Sequence, residues 1–397
     1  MTARRPASSP LEPVRLPPLP REPLASVLIA NFNYGRFVSK ALESVLGQSY
    51  QRFEIVVCDD GSEDDSTEVI EGFTRRDSRI RLLTKPNGGA ASALNLAFEA
   101  SRGEILFLLD ADDEFAPEKL EKVVHAMGDQ GCGLLVHPLL VVDDKGGLVQ
   151  RKPAFGRFES GWIAPQVVAR GGRWNYMEAS AVSFRREVGR LIFPIPEELF
   201  RSWADAYVCC VGALVSRVGS IDEALASYRL HGGNVSGFDT FDEDHGRRAM
   251  NGYRRLAEGI NRKLAELGSR ERVSVDDNLS YLESRLQHEL LASEGSMAGA
   301  LRAFVSYARA VAVDDIYGRA RKVLSLVFLG SALALPRRLR ARWITMGLTH
   351  SRAKERLRKL LAAGTSTRYE RTGTGDSEDG TASLGSVEPF DRARLSG

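Results

Sequence analysis

The stretch Glu104-Ile105-Leu106-Phe107-Leu108-Leu109-Asp110-Ala111-Asp112-Asp113 decides the fold, because an unbroken apolar run delivers three carboxylates to its end. A run of this kind, without polar alternation, predicts a parallel strand covered on both faces. Similar segments lie upstream at Ser26–Asn31 (SVLIAN), Phe53–Asp59 (FEIVVCD) and Ile80–Thr84 (IRLLT). Helical spacing over 36–48, 64–76, 89–101 and 117–128 falls between and after them. Strand and helix in alternation imply an α/β fold, a mostly parallel sheet with right-handed crossovers and helices on its faces. On such sheets ligands lie beyond the carboxyl ends of the strands, so chemistry is expected along that edge.

Each of those ends carries polar or glycine-containing sequence: Asn31-Phe32-Asn33-Tyr34-Gly35, Asp59-Asp60-Gly61-Ser62, Asn87-Gly88-Gly89 and Asp110-Ala111-Asp112-Asp113. Two carboxylates at Asp110 and Asp112 suit a hard divalent cation, Mg2+ or Mn2+, that keeps some waters and also binds phosphate oxygens. The alternative is a solvated acidic turn ahead of the helix near Pro117. Asp59 and Asp60 suit hydrogen bonds from a nucleobase or ribose, or else a β-turn closed by Asx hydrogen bonds.

The rest of the chain is less regular. A strand is expected at 132–142, followed by an irregular stretch over 150–200 that includes Trp174 and Tyr176. These aromatics suit either a platform for a ligand's ring or the core. A helix from Trp203 to Ser216 precedes the loop Tyr228-Arg229-Leu230-His231-Gly232-Gly233-Asn234-Val235-Ser236, and helices are expected at 246–268, 277–295 and 297–313. The chain thus divides into a Pro-rich disordered leader (1–24), an α/β domain (25–244), a helical region (245–363) and a low-complexity disordered tail (364–397). The leader reading rests on seven of the sixteen prolines falling within residues 1–23.

Composition narrows the function. Hydrophobic residues at 43% and charged residues at 27% are a globular balance, and a net charge of +2 does not suggest a nucleic-acid partner. Residues 317–362 nonetheless hold twelve Lys/Arg against the single acid Glu355. That basic segment has apolar residues at helical spacing, which suits an anionic membrane surface or a helix packed on the domain with a solvated face. The apolar stretch Val323–Leu335 falls short of the roughly 20 residues that a spanning helix needs. Cys58, Cys132, Cys209 and Cys210 lack metal-ligand spacing, and a reducing cytoplasm fits them best.

Taken in order, Ser26–Asn33, Asp59-Asp60-Gly61-Ser62, Asn87-x-Gly89 through Asn95, and Asp110-x-Asp112 resemble the family 2 glycosyltransferases, nucleotide-sugar-dependent enzymes of the GT-A fold. The resemblance runs from about residue 25 to 236. It implies that Asn31, Asn33, Asp59, Asp60, Asn87, Gly89 and Asn95 line the donor pocket, and that Asp110 and Asp112 hold a Mg2+ or Mn2+ diphosphate. His231 would join as a third ligand, with Arg229 near phosphate. Leu94 stands where the family commonly has Arg or Lys. In Trp203-Ala204-Asp205 the resemblance implies that Asp205 is the base that deprotonates the acceptor, with Ala204 in place of the usual Glu. The spacing Ser202 to Asp205 also fits a helix capping box.

The expectation is a cytoplasmic, metal-dependent, inverting transferase, with a UDP-sugar as donor and a glycan or lipid-linked acceptor, that reaches the inner membrane face through 317–362. Two rivals are a sugar nucleotidyltransferase, which would usually carry a Gly-rich basic loop after its first strand, and a membrane-associated scaffold without turnover.

Overall fold

The computed structural model describes residues 11–152, 158–232, 243–292 and 296–349. The first half alternates as expected: β1 (Ala25–Asn31), α1 (Gly35–Leu46), β2 (Phe53–Asp59), α2 (Ser66–Thr74), β3 (Ile80–Thr84), α3 (Ala90–Ala100), β4 (Ile105–Asp110), β5 (Glu114–Phe115) and α4 (Lys119–Gln130). It continues through β6 (Leu134–Val136), β7 (Leu139–Val142), β8 (Leu148–Lys152), α5 (Ala164–Ala169), a 3-10 turn at Ala179–Ala181, β9 (Val182–Arg185) and α6 (Arg186–Ile192). Next come α7 (Ala204–Val215), β10 (Val218–Ser220) and β11 (Ala226–Arg229). The helical part is α8 (Glu243–Glu266), α9 (Leu279–Leu291), α10 (Met297–Val313), α11 (Arg319–Ala334) and α12 (Arg337–Thr349).

The main sheet has the order β10-β6-β9-β4-β1-β2-β3, with β1 parallel to both β2 and β4, and β2 parallel to β3. The α/β class with helices on the sheet faces, followed by a helical region, is therefore what the sequence implies. Burial explains the continuous apolar runs. Val27 and Ile29 of β1 join one core cluster with Phe107 and Leu109, while Leu28 joins the opposite cluster with Leu106 and Leu108. Successive side chains alternate faces, and both faces are covered.

Three expectations are corrected. The strand at 132–142 is broken at His137-Pro138, so that β6 stays in the main sheet while β7 enters a second sheet of order β5-β11-β7-β8. A proline has no N–H for a ladder, so the chain changes sheets there. The irregular stretch 150–200 contains β9, which inserts antiparallel between β4 and β6. The leader is ordered from residue 11. Val14 donates its N–H to the Val215 carbonyl at 2.7 Å, Arg185 donates to the Pro17 carbonyl at 2.7 Å, and Leu11, Val14, Leu16 and Leu19 pack against the core. Proline-stiffened extended chain loses little entropy when it docks in this way. Residues 1–10 and the expected tail at 364–397 lie outside the described residues.

A third cluster, including Leu282, Leu286, Tyr307 and Leu329, is the core of α8–α12. Among the described residues no helix is long and apolar enough to cross a membrane.

Candidate active site

Register brings the strand ends together. Asn31 pairs with Asp59 across β1 and β2, and Ala30 pairs with Asp110 across β1 and β4, so the polar tips are neighbours on one edge. Beyond β4 the chain folds back sharply, with the Asp113 N–H donating to the Asp110 carbonyl at 3.0 Å. Asp110, Asp112 and Asp113 each offer an oxygen within 4.8 Å of the others.

The cluster is held from behind. The Asp110 N–H donates to Ser180 Oγ at 3.0 Å, and the buried Lys119 donates to the Ser180 carbonyl at 2.6 Å. The Arg229 backbone N–H donates to Asp113 Oδ1 at 2.9 Å, while Asp113 Oδ2 is buried with no hydrogen-bond partner. Burial holds the Asp110 carboxyl well above the usual range, and the charges of Asp113, Asp112, Asp205 and Glu178 add to it. Asp113 is raised in the same direction, first by burial and then by Asp112. Carboxylates that repel one another, with a buried oxygen left over, fit a divalent cation with oxygen ligands. His231 arrives from the segment after β11. Its Nε2 lies 2.8 Å from Asp112 Oδ2, and its ring packs against Phe37 at 4.7 Å and Tyr34 at 5.7 Å.

On the β1–β2 side, the Asx alternative is realised. Asp59 accepts from Asn31 Nδ2 at 2.7 Å and from the Ser62 N–H at 2.9 Å. Asn33, at φ 58°, donates its N–H to Ser62 Oγ and accepts from the Glu63 N–H. Asp60 shapes the next loop, accepting from Lys85 Nζ at 2.6 Å, the Gly88 N–H at 2.8 Å and the Gly89 N–H at 2.6 Å. Asn87 accepts from the exposed Arg201, and Gly89 is pressed against the Arg201 backbone. A β-carbon at Gly89 would stand 2.6 Å from Arg201 Cα.

Arg201 leads into Trp203, which is the N-cap of α7 at φ 66°. No side chain caps this helix, so the capping-box alternative for Ser202 to Asp205 does not form. Asp205 is half-buried in the first turn of α7, and burial pushes its carboxyl up to about 6. The Glu178 charge adds to this, and the N–H groups of Ala206 and Ala179 oppose it. The charges on Asp205 and Glu178 both reach Asp110, so acids from β4, α7 and the 3-10 turn converge.

Two expected contacts are corrected. Arg229 is 1% exposed and donates to the Asp112 and Asp143 carbonyls and to Glu114, so its guanidinium braces the acidic turn from within and does not face a diphosphate. Asn95 donates to the Ile195 carbonyl at 2.9 Å and accepts the Ile195 N–H at 2.7 Å, so its amide clasps the segment leading to α7. Trp174 and Tyr176 belong to the core alternative, with ring centres 5.5 Å apart and Trp174 4% exposed. Sequence reasoning missed Glu178, Ser180, Lys119 and Lys85. Only Lys85, just past the end of β3, lay where the strand-end rule would have pointed.

Comparison with known proteins agrees with this geometry. The family model for glycosyl transferase family 2 matches residues 26–189. An uncharacterized glycosyltransferase of Nostoc sp. is 32% identical over 263 residues, which is 66% of this chain and 81% of that protein. The chain belongs to glycosyltransferase family 2. The glycosyltransferase GlyG of Streptococcus pneumoniae is 31% identical over 125 residues, covering 31% of this transferase and 42% of GlyG. In fold, the transferase is similar to residues 1–349 of S. aureus TarS, with a TM-score of 0.50 and 17% identity over 81% of this chain and 91% of that one. The family match spans the strand tips and the acidic turn but ends before Asp205 and His231, whose places in the site rest on geometry.

Proposed function

We propose that this family 2 glycosyltransferase moves a sugar, with inversion, from a nucleotide-diphosphate donor, a UDP-sugar, to a hydroxyl of an acceptor. The observation that carries this reading is the convergence of Asp110, Asp112 and Asp113 with Asp205 at one sheet edge. The nucleoside rests against the loops that Asn31, Asn33, Asp59, Asp60, Asn87 and Gly89 shape. Asp110 and Asp112 hold Mg2+ or Mn2+, with Asp113 behind them and His231 Nε2 beside Asp112. When bound, the cation neutralises charge on the departing diphosphate.

Asp205 accepts the proton of the acceptor hydroxyl as that oxygen attacks the anomeric carbon from the side opposite the diphosphate. One C–O bond forms, the C–O bond to diphosphate breaks, and the configuration inverts. Burial, with the Glu178 charge adding to it, raises the proton affinity of Asp205, which suits a base working near neutral pH. The acceptor is a glycan or lipid-linked hydroxyl of cell-surface polysaccharide or glycoconjugate synthesis. A cytoplasmic transferase of this kind meets a lipid-linked acceptor at the inner face of the membrane.

A thermal-shift panel of nucleotide sugars, with and without Mn2+, followed by product analysis, tests the reading. One nucleotide class stabilises the folded chain by mass action, and turnover releases the nucleoside diphosphate. Formation of nucleoside triphosphate and sugar 1-phosphate from nucleotide sugar and added pyrophosphate would instead indicate nucleotidyl transfer. Binding without turnover, and with no effect of Asp205→Asn, would indicate a scaffold.

A further inference from the structure

Exposed apolar side chains are concentrated in one part of the molecule. Of the eleven large hydrophobic residues exposed among the described residues, eight fall between Met297 and Leu339, so the surface of α10–α12 differs from the rest. On α10, Met297, Leu301 and Val305 recur every fourth residue, and on α11 Val323 and Val327 do the same. The two helices touch where Gly330 meets Phe304, and their inner residues Tyr307 and Leu329 share one core cluster. Both helices bury one face in the same core and leave apolar residues exposed on the other.

Basic charge predominates on these helices, with Glu289 of α9 the acid lying against Gly299 at the start of α10. Residues 297–349 contain nine Lys/Arg, and their only acids are Asp314 and Asp315. Both acids are committed to ion pairs, Asp314 with Arg173 and Asp315 with Arg170. Arg302 and Arg309 on α10, and Arg319 and Arg321 on α11, are exposed beside the apolar residues. Exposed valine and leucine bordered by arginine, on helices too short and too charged to span, is the pattern of a face that lies in the headgroup region of a bilayer.

We propose that the outward face of α10 and α11, centred on Leu301, Val305, Val323 and Val327, docks on an anionic phospholipid surface. The apolar side chains enter the boundary between headgroups and acyl chains, and the flanking arginines meet lipid phosphates. This places the contact on a folded helix pair that begins upstream of the basic segment, and it stands whether or not the proposed sugar transfer holds.

The test is co-sedimentation of the full chain with vesicles of phosphatidylcholine containing about one third phosphatidylglycerol, against phosphatidylcholine alone. Binding to the anionic vesicles is expected to fall with added salt. The double variant Leu301→Glu, Val327→Glu, at two exposed positions, should lose about tenfold or more of that binding with its melting temperature preserved. A second variant, Arg302→Gln, Arg309→Gln, should weaken binding to the anionic vesicles specifically. Equal binding by wild type and both variants would overturn the proposal, as would absence of binding by wild type. It would also be overturned if the glutamate variant altered self-association in sedimentation velocity while vesicle binding stayed unchanged, since the face would then join two copies of the chain.

Discussion

Asp205 sits where three carboxylate-bearing elements meet, and its raised proton affinity sets what its removal should do. Asp205→Asn keeps the shape and removes the proposed base, so kcat should fall by about 10^2 to 10^4 with donor affinity within about twofold of wild type. Single-turnover transfer and equilibrium donor binding check this, and a wild-type rate in the variant would contradict it. Because the base acts deprotonated and its carboxyl lies at about 6, kcat/KM should fall on the acid side of that value. The same raised carboxyls bear on stability. Asp110, Asp113 and Asp205 bind protons more tightly folded than unfolded. Their contribution is therefore present at low pH and is lost as pH rises through their folded values. A divalent cation replaces those protons, so Mn2+ should raise the melting temperature more at about pH 7.5 than at about pH 5. Equal gains at the two pH values would argue that these acids do not hold it. The clustering of Asp110 and Asp112 was legible because acids at a strand end have a recognisable setting, whereas the reading of Asp205 came from the family resemblance, its setting alone fitting a helix cap. Glu178 was not legible, since a lone glutamate in an irregular stretch joins the site only through the 3-10 turn that follows it.

At the scale of elements, the loop after β3 depends on one glycine. Gly89 holds φ 93° and ψ 171°, a region essentially closed to other residues, and it abuts the Arg201 backbone. Gly89→Ala should cost about 1–3 kcal/mol of stability and push the donor loop away from the entry to α7. Denaturant melts and donor affinity measure the two effects, and a variant unchanged in both would contradict this account of the loop. The strands β1 to β4 were readable because burial on both faces demands continuous apolar runs. The break at Pro138 and the insertion of β9 were not, because both follow from sheet pairing between distant segments. The arginine at 229 misled for a related reason. A loop arginine near a proposed diphosphate suggests contact with it, whereas burial and backbone carbonyl acceptors turn it inward as a brace.

For the whole molecule, the strap from residue 11 was read differently by sequence and structure, whereas the helical region after the sheets was expected. Proline-rich composition suggested a disordered leader, yet Leu11, Val14, Leu16 and Leu19 give it apolar contacts with the sheet layers. Removing residues 1–19 should therefore lower stability by about 2–4 kcal/mol, seen as a drop in melting temperature, and an unchanged melting temperature would contradict the packing described. The larger consequence of the topology is that the tips of β1, β2 and β4 share one edge, which brings together acids far apart in sequence; the proposed function places one metal-bridged diphosphate among them. Calorimetric titration of UDP into wild type and Asp112→Ala, each with and without Mn2+, tests that claim most directly. The account predicts that Mn2+ tightens UDP binding at least about tenfold in wild type and has little effect in the variant. The same Mn2+ dependence in both proteins would contradict it.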